Sequence, residues 1–208
     1  LDQPPGRLLA LAIAHQINII ACHTNLDVVT GGVSDILARR LGLTDTVPLQ
    51  ITGPEVTASQ PTATGFGRFG RLSSPVPGQL FLARLAAELK LEALQVAGPL
   101  PAMIRKVAVC GGSGSDLAQR AADLGADIYI SAEIKHATAR WAEMRGFCMV
   151  DAGHFYSENP VVSELAAILA RHLAADGSSV PLQISRTQKS PFKVFCYQPA
   201  APAAEPAE

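Results

Sequence analysis

The sequence predicts an α/β protein with a mainly parallel sheet, and three observations carry that expectation. Apolar runs with strand character alternate with amphipathic helical stretches over residues 107–176. These runs end in short polar clusters (GGSGS, SAE and DAGH), as strands of an open α/β sheet do where they meet a ligand. Of 208 residues, 48% are apolar and 17% charged, the balance of a chain that packs a core.

Along the chain, LDQPPGRLLALAIAHQ reads as a turn and a short helix with Leu8, Leu9, Leu11 and Ala12 on its apolar face. INIIACH is rich in β-branched residues and reads as a strand that ends in HTNLD. VSDILARRLGL is a helix with Val33, Ile36, Leu37 and Leu41 on one face and Gly42 near its end. Residues 44–78 are punctuated by prolines and hold GFGRFGRL, a pattern of short strands and loops. FLARLAAELKL restores a helix. Then KVAVCGG, ADIYISAE and GFCMVDAGH read as strands, and SDLAQRAADLG and IKHATARWAEMRG as the helices between them. SENPVVSELAAILARHLAADG is a helix with Ser157 as N-cap and Pro160 in its first turn, and VPLQIS a last strand. We divide the chain into residues 1–105, the remainder of a first lobe with a linking segment; 106–198, a C-terminal α/β lobe; and 199–208, a disordered Ala/Pro/Glu tail.

The formal net charge of -1 gives no basic footprint for nucleic acid or an anionic membrane. No apolar run approaches a membrane span and no signal peptide opens the chain, so a cytoplasmic protein is expected. Cys22, Cys110, Cys148 and Cys196 form no C-x-x-C pair, which favours buried free thiols over a zinc site.

Four clusters can carry chemistry. In DAGHFYSE, His154 leaves a strand and Glu158 opens a helix, so the two can converge on zinc, manganese or iron; the alternative is a surface turn. In HTNLD, His23 and Asp27 have the same opportunity, with Thr24 and Asn25 to orient them, or the run simply ends a strand. CGGSGSD, through Gly112 and Ser113, is either an anion-binding turn or a tight turn capped by Ser113 or Ser115. In SAEIKHA, Glu133 is either a general base near a metal or part of a solvated first turn. Arg68 and Arg71 of GFGRFGR bind a phosphate or mark a bend, and His15 and His172 read as structural.

Taken together, ACHTNLDVVTGGVSDILARRLGL, GFGRFGRL, VAVCGGSGSDL, ADIYISAEIKHATA and VDAGHFYSE resemble, in order, the NGG-one-interacting-factor-three-like family, also called GTP cyclohydrolase type 2 homologues. The resemblance covers the chain up to its tail. It implies two α/β lobes with mixed or parallel sheets, a dinuclear metal centre in the cleft between them, and a toroidal homohexamer. Asp27, His154 and Glu158 are then metal ligands, His23 lies beside the site, and Glu133 and the GGSGS loop flank it. The family draws two further ligands from an upstream His-His-Pro motif, and this sequence has no adjacent histidine pair. The expectation is therefore a fragment or truncated form with an incomplete N-terminal lobe, holding one ion weakly through Asp27, His154 and Glu158. Two functions follow. One is a metal-dependent hydrolase that uses Glu133 to move a proton and acts on a small nucleotide-like or phosphorylated substrate anchored by the Gly/Ser loop or Arg68. The other is a metal-binding scaffold or regulatory interaction protein without catalysis.

Overall fold

In the computed structural model, which describes residues 3–53 and 64–195, the carboxyl ends of three neighbouring parallel strands form the rim that carries the site. The helices are α1 (Pro4–Ala14), α2 (Thr24–Val28), α3 (Val33–Arg40), α4 (Gly78–Leu89), α5 (Ala118–Asp123), α6 (His136–Arg145), α7 (His154–Glu158) and α8 (Pro160–Ala175). The strands are β1 (Thr44–Val47), β2 (Gln50–Ile51), β3 (Gly65–Phe66), β4 (Arg68–Pro77), β5 (Gln95–Ala97), β6 (Met103–Ser113), β7 (Ile128–Ala132) and β8 (Cys148–Asp151). Six of them form one sheet in the order β1-β4-β6-β7-β8-β5, and β2 pairs with β3.

The β6-β7-β8 centre is parallel, its strands joined by α5 and α6 as the alternation of patterns requires. The flanks are antiparallel: β1 on β4, β4 on β6 and β5 on β8. The sheet is therefore mixed rather than mainly parallel. It also runs through the 105/106 division, which falls inside β6.

Burial on both faces explains the unbroken apolar strands. Val107, Val109, Ile128, Ile130 and Val150 point into a core with Leu37, Phe81 and Leu85 from α3 and α4. The alternate residues Ala108, Cys110, Tyr129 and Met149 face the opposite core, against Ala118, Ala121 and Ala142 of α5 and α6.

Three expected elements differ. Residues 17–22 form no strand; Ile19 and Ile20 are exposed. Residues 180–185 likewise lie outside any strand. β-Branched composition favours a strand only where a pleated, half-buried surface receives it, and neither segment pairs with another among the described residues. Ser157 is not an N-cap but a buried residue inside α7, and Asn159 takes the cap position before Pro160. Cys22 is exposed, whereas Cys110 and Cys148 are buried free thiols. Cys196 and the tail lie outside the described residues.

Candidate metal centre

β8 stops at Asp151, and the chain turns through Ala152 and Gly153 into α7. His154 and Glu158 sit four residues apart on that helix and so share a face. His154 Nε2 lies 3.0 Å from Glu158 Oε1, and its Nδ1–H donates to Glu133 Oε1 at 2.8 Å. Glu133 comes from the end of neighbouring β7, with the backbone in the left-handed region at φ 54°.

Gly112, expected in a loop, lies inside β6 and forms the floor beneath this pair. At its φ of 68°, a Cβ would stand 2.1 Å from Glu158 Oε1 and 3.3 Å from His154 Nε2. The buried Ser157 hydroxyl accepts the Gly112 N–H at 3.0 Å and donates to the His154 carbonyl, while Ser131 Oγ donates to the Gly112 carbonyl. Strand and helix are thereby tied at the site itself. Ser113 ends the strand opposite Ala132 and is exposed.

Asp27 arrives from α2. Burial pushes its carboxyl above the ordinary range, against the opposing charges of His23 and His154, which places all three in one electrostatic neighbourhood. Thr24 Oγ1 contacts His23 Nδ1 at 3.1 Å, and Asn25 Oδ1 accepts the His23 backbone N–H. At His154, burial pulls the imidazole down. The Glu133 hydrogen bond and the charges of Glu158 and Glu133 outweigh this and raise it overall. Beneath the site, burial and then the charge of Asp27 push the Cys110 thiol up to about 11, so it stays a neutral thiol.

Because the Asp27 carboxyl is raised in the fold above 3.8, its ionised form costs stability, and the cost grows as pH rises through the folded value. Asp27→Asn is therefore expected to melt higher than the wild type at neutral pH in chelator-treated protein. The gap should close below 3.8, where both states are protonated. Thermal melts at the two pH values check this, and a variant that melts lower at neutral pH contradicts it.

Arg68 is put to another use than anion binding. Only 3% exposed, its guanidinium grips Asp35 of α3 through Nε at 2.5 Å and Nη2 at 2.7 Å. Its Nη1 donates to the carbonyls of Gly65 and Gly67. Asp35 also accepts the Gly31 N–H at 2.7 Å, in the turn that follows Asp27. Asp35 and Ser131 carry no local signal of their partners in the sequence, and Ser157, expected as an N-cap, bonds instead to Gly112.

For a divalent ion, the donor chemistry fits in part. An imidazole nitrogen and a carboxylate oxygen 3.0 Å apart match two neighbouring ligands of one ion at bond lengths of about 2.0–2.2 Å. Glu133 on the opposite ring nitrogen is the kind of carboxylate partner that orients a histidine where one does bind a metal. Among the described residues, no group of three or more His, Cys, Asp or Glu side chains is placed to hold a metal ion. A cavity of about 720 Å³ opens beside the pair, lined by Leu91, Glu92, Tyr156, Phe192 and Lys193 as well as His154 and Glu133.

The sequence profile of the family Duf34/NIF3 (NGG1p interacting factor 3) matches residues 1–191. The chain belongs to this family. A GTP cyclohydrolase 1 type 2 homolog of Streptococcus pneumoniae is 31% identical over 195 residues, 92% of this chain and 70% of that protein. A protein of the same description from Clostridium perfringens is 31% identical, over 90% of this chain and 68% of its own length. In fold, a hypothetical protein of Staphylococcus aureus superposes with a TM-score of 0.83 at 23% identity, covering 94% of this chain and 74% of its own. A Bacillus cereus protein related to NIF3 gives 0.83 at 21%, covering 93% and 78%. No helix among the described residues is long and apolar enough to cross a membrane.

Proposed function

We propose that this member of the family is a cytoplasmic, divalent-metal-dependent hydrolase in which His154, Glu158 and Asp27 hold zinc, manganese or iron. The observation that carries the reading is His154 itself, with one ring nitrogen anchored to Glu133 and the other beside Glu158. When bound, a divalent ion supplies an activated water and polarises the group under attack. The chain's own contribution is orientation. Glu133 holds the Nδ1 proton, leaving Nε2 directed at Glu158, which favours a positioning role for Glu133 over a proton shuttle.

The cavity beside the pair has the volume of a small-molecule site, usually about 300–1,000 Å³. Lys193 suits an anionic group, and Tyr156 and Phe192 suit a planar apolar body. That supports a small nucleotide-like or phosphorylated substrate, in keeping with the name of the relatives.

Metal analysis after incubation with zinc(II) or manganese(II) and desalting tests the proposal. His154→Ala and Glu158→Ala should keep the wild-type melting profile, lose bound metal, and lose any turnover of nucleoside triphosphates that the loaded wild type shows. Equal metal in wild type and both variants sinks it. The interaction-protein reading draws on the exposed apolar side chains of α1 and residues 17–20, Ile20 being 86% exposed. That surface suits the homo-oligomer, of hexameric type, expected from the family.

A further inference from the structure

Glu133 and His154 come from different strands, yet meet at hydrogen-bond distance. β7 and β8 are parallel neighbours with Ser131 opposite Asp151, so the two chains leave the sheet side by side. Backbone pairing carries them as far as the Ala152 N–H, which donates to the Ser131 carbonyl at 2.8 Å. Asp151 spans the gap. Its Oδ1 accepts the N–H of Gly153, the residue before His154, and its Oδ2 accepts the N–H of Ile134, the residue after Glu133, both at 2.9 Å.

A turn closed by an aspartate needs only the first of these bonds. The second reaches across to the other strand end and adds nothing to the Gly153 turn. Glu133 moreover holds a left-handed backbone that a non-glycine residue adopts only when its surroundings over-determine it. Ser115 completes that restraint. Buried at 4% exposure, its hydroxyl donates to the Glu133 carbonyl at 3.0 Å and accepts the Lys135 N–H at 2.9 Å. The two peptide groups on either side of Ile134 are thus held by side chains from β8 and from the segment after β6.

We propose that Asp151, with Ser115, is a positioning residue that sets the Glu133–His154 hydrogen bond and thereby the direction of His154 Nε2. The proposal deepens the metal-site reading and rests on it for its purpose, but the bond itself exists or fails without any metal. Asparagine at 151 keeps the size and one acceptor oxygen. Its amide nitrogen, a donor, must then face one of the two N–H groups.

The test reads the ring-nitrogen chemical shifts of His154 in the full chain, metal-free, with isotope-labelled histidine and signals detected through the carbon-bound ring protons. Glu133→Ala defines the position of an unanchored ring, and His154→Gln assigns the signal among the five histidines. Asp151→Asn and Ser115→Ala should each move His154 toward the Glu133→Ala position, while the other four histidines stay in place. An Asp151→Asn spectrum that overlays the wild type while Glu133→Ala differs overturns the proposal. So does a Glu133→Ala spectrum that itself overlays the wild type. If Asp151→Asn does not fold, Ser115→Ala decides, with unchanged shifts counting against. A protein that passes here yet takes up no zinc refutes the metal reading alone.

Discussion

Replacing Arg68 by methionine is expected to destabilise the chain by about 3–5 kcal/mol, the scale for leaving a buried charge without its partner. The guanidinium makes four hydrogen bonds, two to Asp35 and one each to the Gly65 and Gly67 carbonyls. Methionine fills much of the volume but removes every donor. Among the described residues, Asp35, 18% exposed, keeps only the Gly31 N–H, and the two carbonyls lose a buried partner. For a protein of this size that loss lowers the melting temperature by roughly 10 °C. Lysine should recover only part of it, because a single ammonium cannot reproduce the planar fork. Thermal melts of the three proteins check the prediction; a methionine variant within about 2 °C of wild type contradicts it. The damage should also reach the site, since Asp35 pins the turn behind Asp27.

The second large effect is on binding. Gly112→Ala adds one carbon where Glu158 Oε1 stands, 2.1 Å away, and does so at φ 68°. The backbone part costs about 1–2 kcal/mol. The carboxylate is the far end of a flexible side chain, so it moves aside and relieves the contact. What is lost is its place beside His154 Nε2. Zinc affinity by isothermal titration should fall about tenfold or more, the scale seen when support of a metal ligand is removed. Gly111, whose added Cβ would meet Val33 in the core at 2.4 Å, provides the contrast: Gly111→Ala should lower the melting temperature first. If Gly112→Ala binds zinc as tightly as wild type, Glu158 is not a ligand.

The centre of the fold was legible because β6, β7 and β8 are buried on both faces and so carry apolar runs that no solvated element would. β4 was harder to see. Its Pro75 and Pro77 argue against a strand flanked on both sides, but they fall at and beyond the irregularity between Arg71 and Val76, where pairing with β6 shifts. INIIACH and VPLQIS failed for the opposite reason, having strand composition but no strand alongside among the described residues. At the site, His154 and Glu158 could be paired because a helix brings residues four apart together. Arg68 could not be assigned, because a buried arginine and a phosphate-binding one look alike until the partner, here Asp35 on another element, is known. Asp151 stood in the DAGH run, but its bond to the neighbouring loop depends on which strands lie side by side.

The floor under Glu158 belongs to β6, whose Val107, Ala108 and Val109 are fully buried, whereas α2, which carries Asp27, buries no residue. Amide hydrogens on the strand should therefore exchange only through global unfolding, and those around Asp27 through small local openings. An ion held by Asp27 of α2 and by His154 and Glu158 of α7, which Ser157 ties to that strand, would lose its Asp27 ligand by the movement of a single short helix. Exchange of a bound metal would then follow the opening rate of residues 24–28, independent of the stability of the sheet.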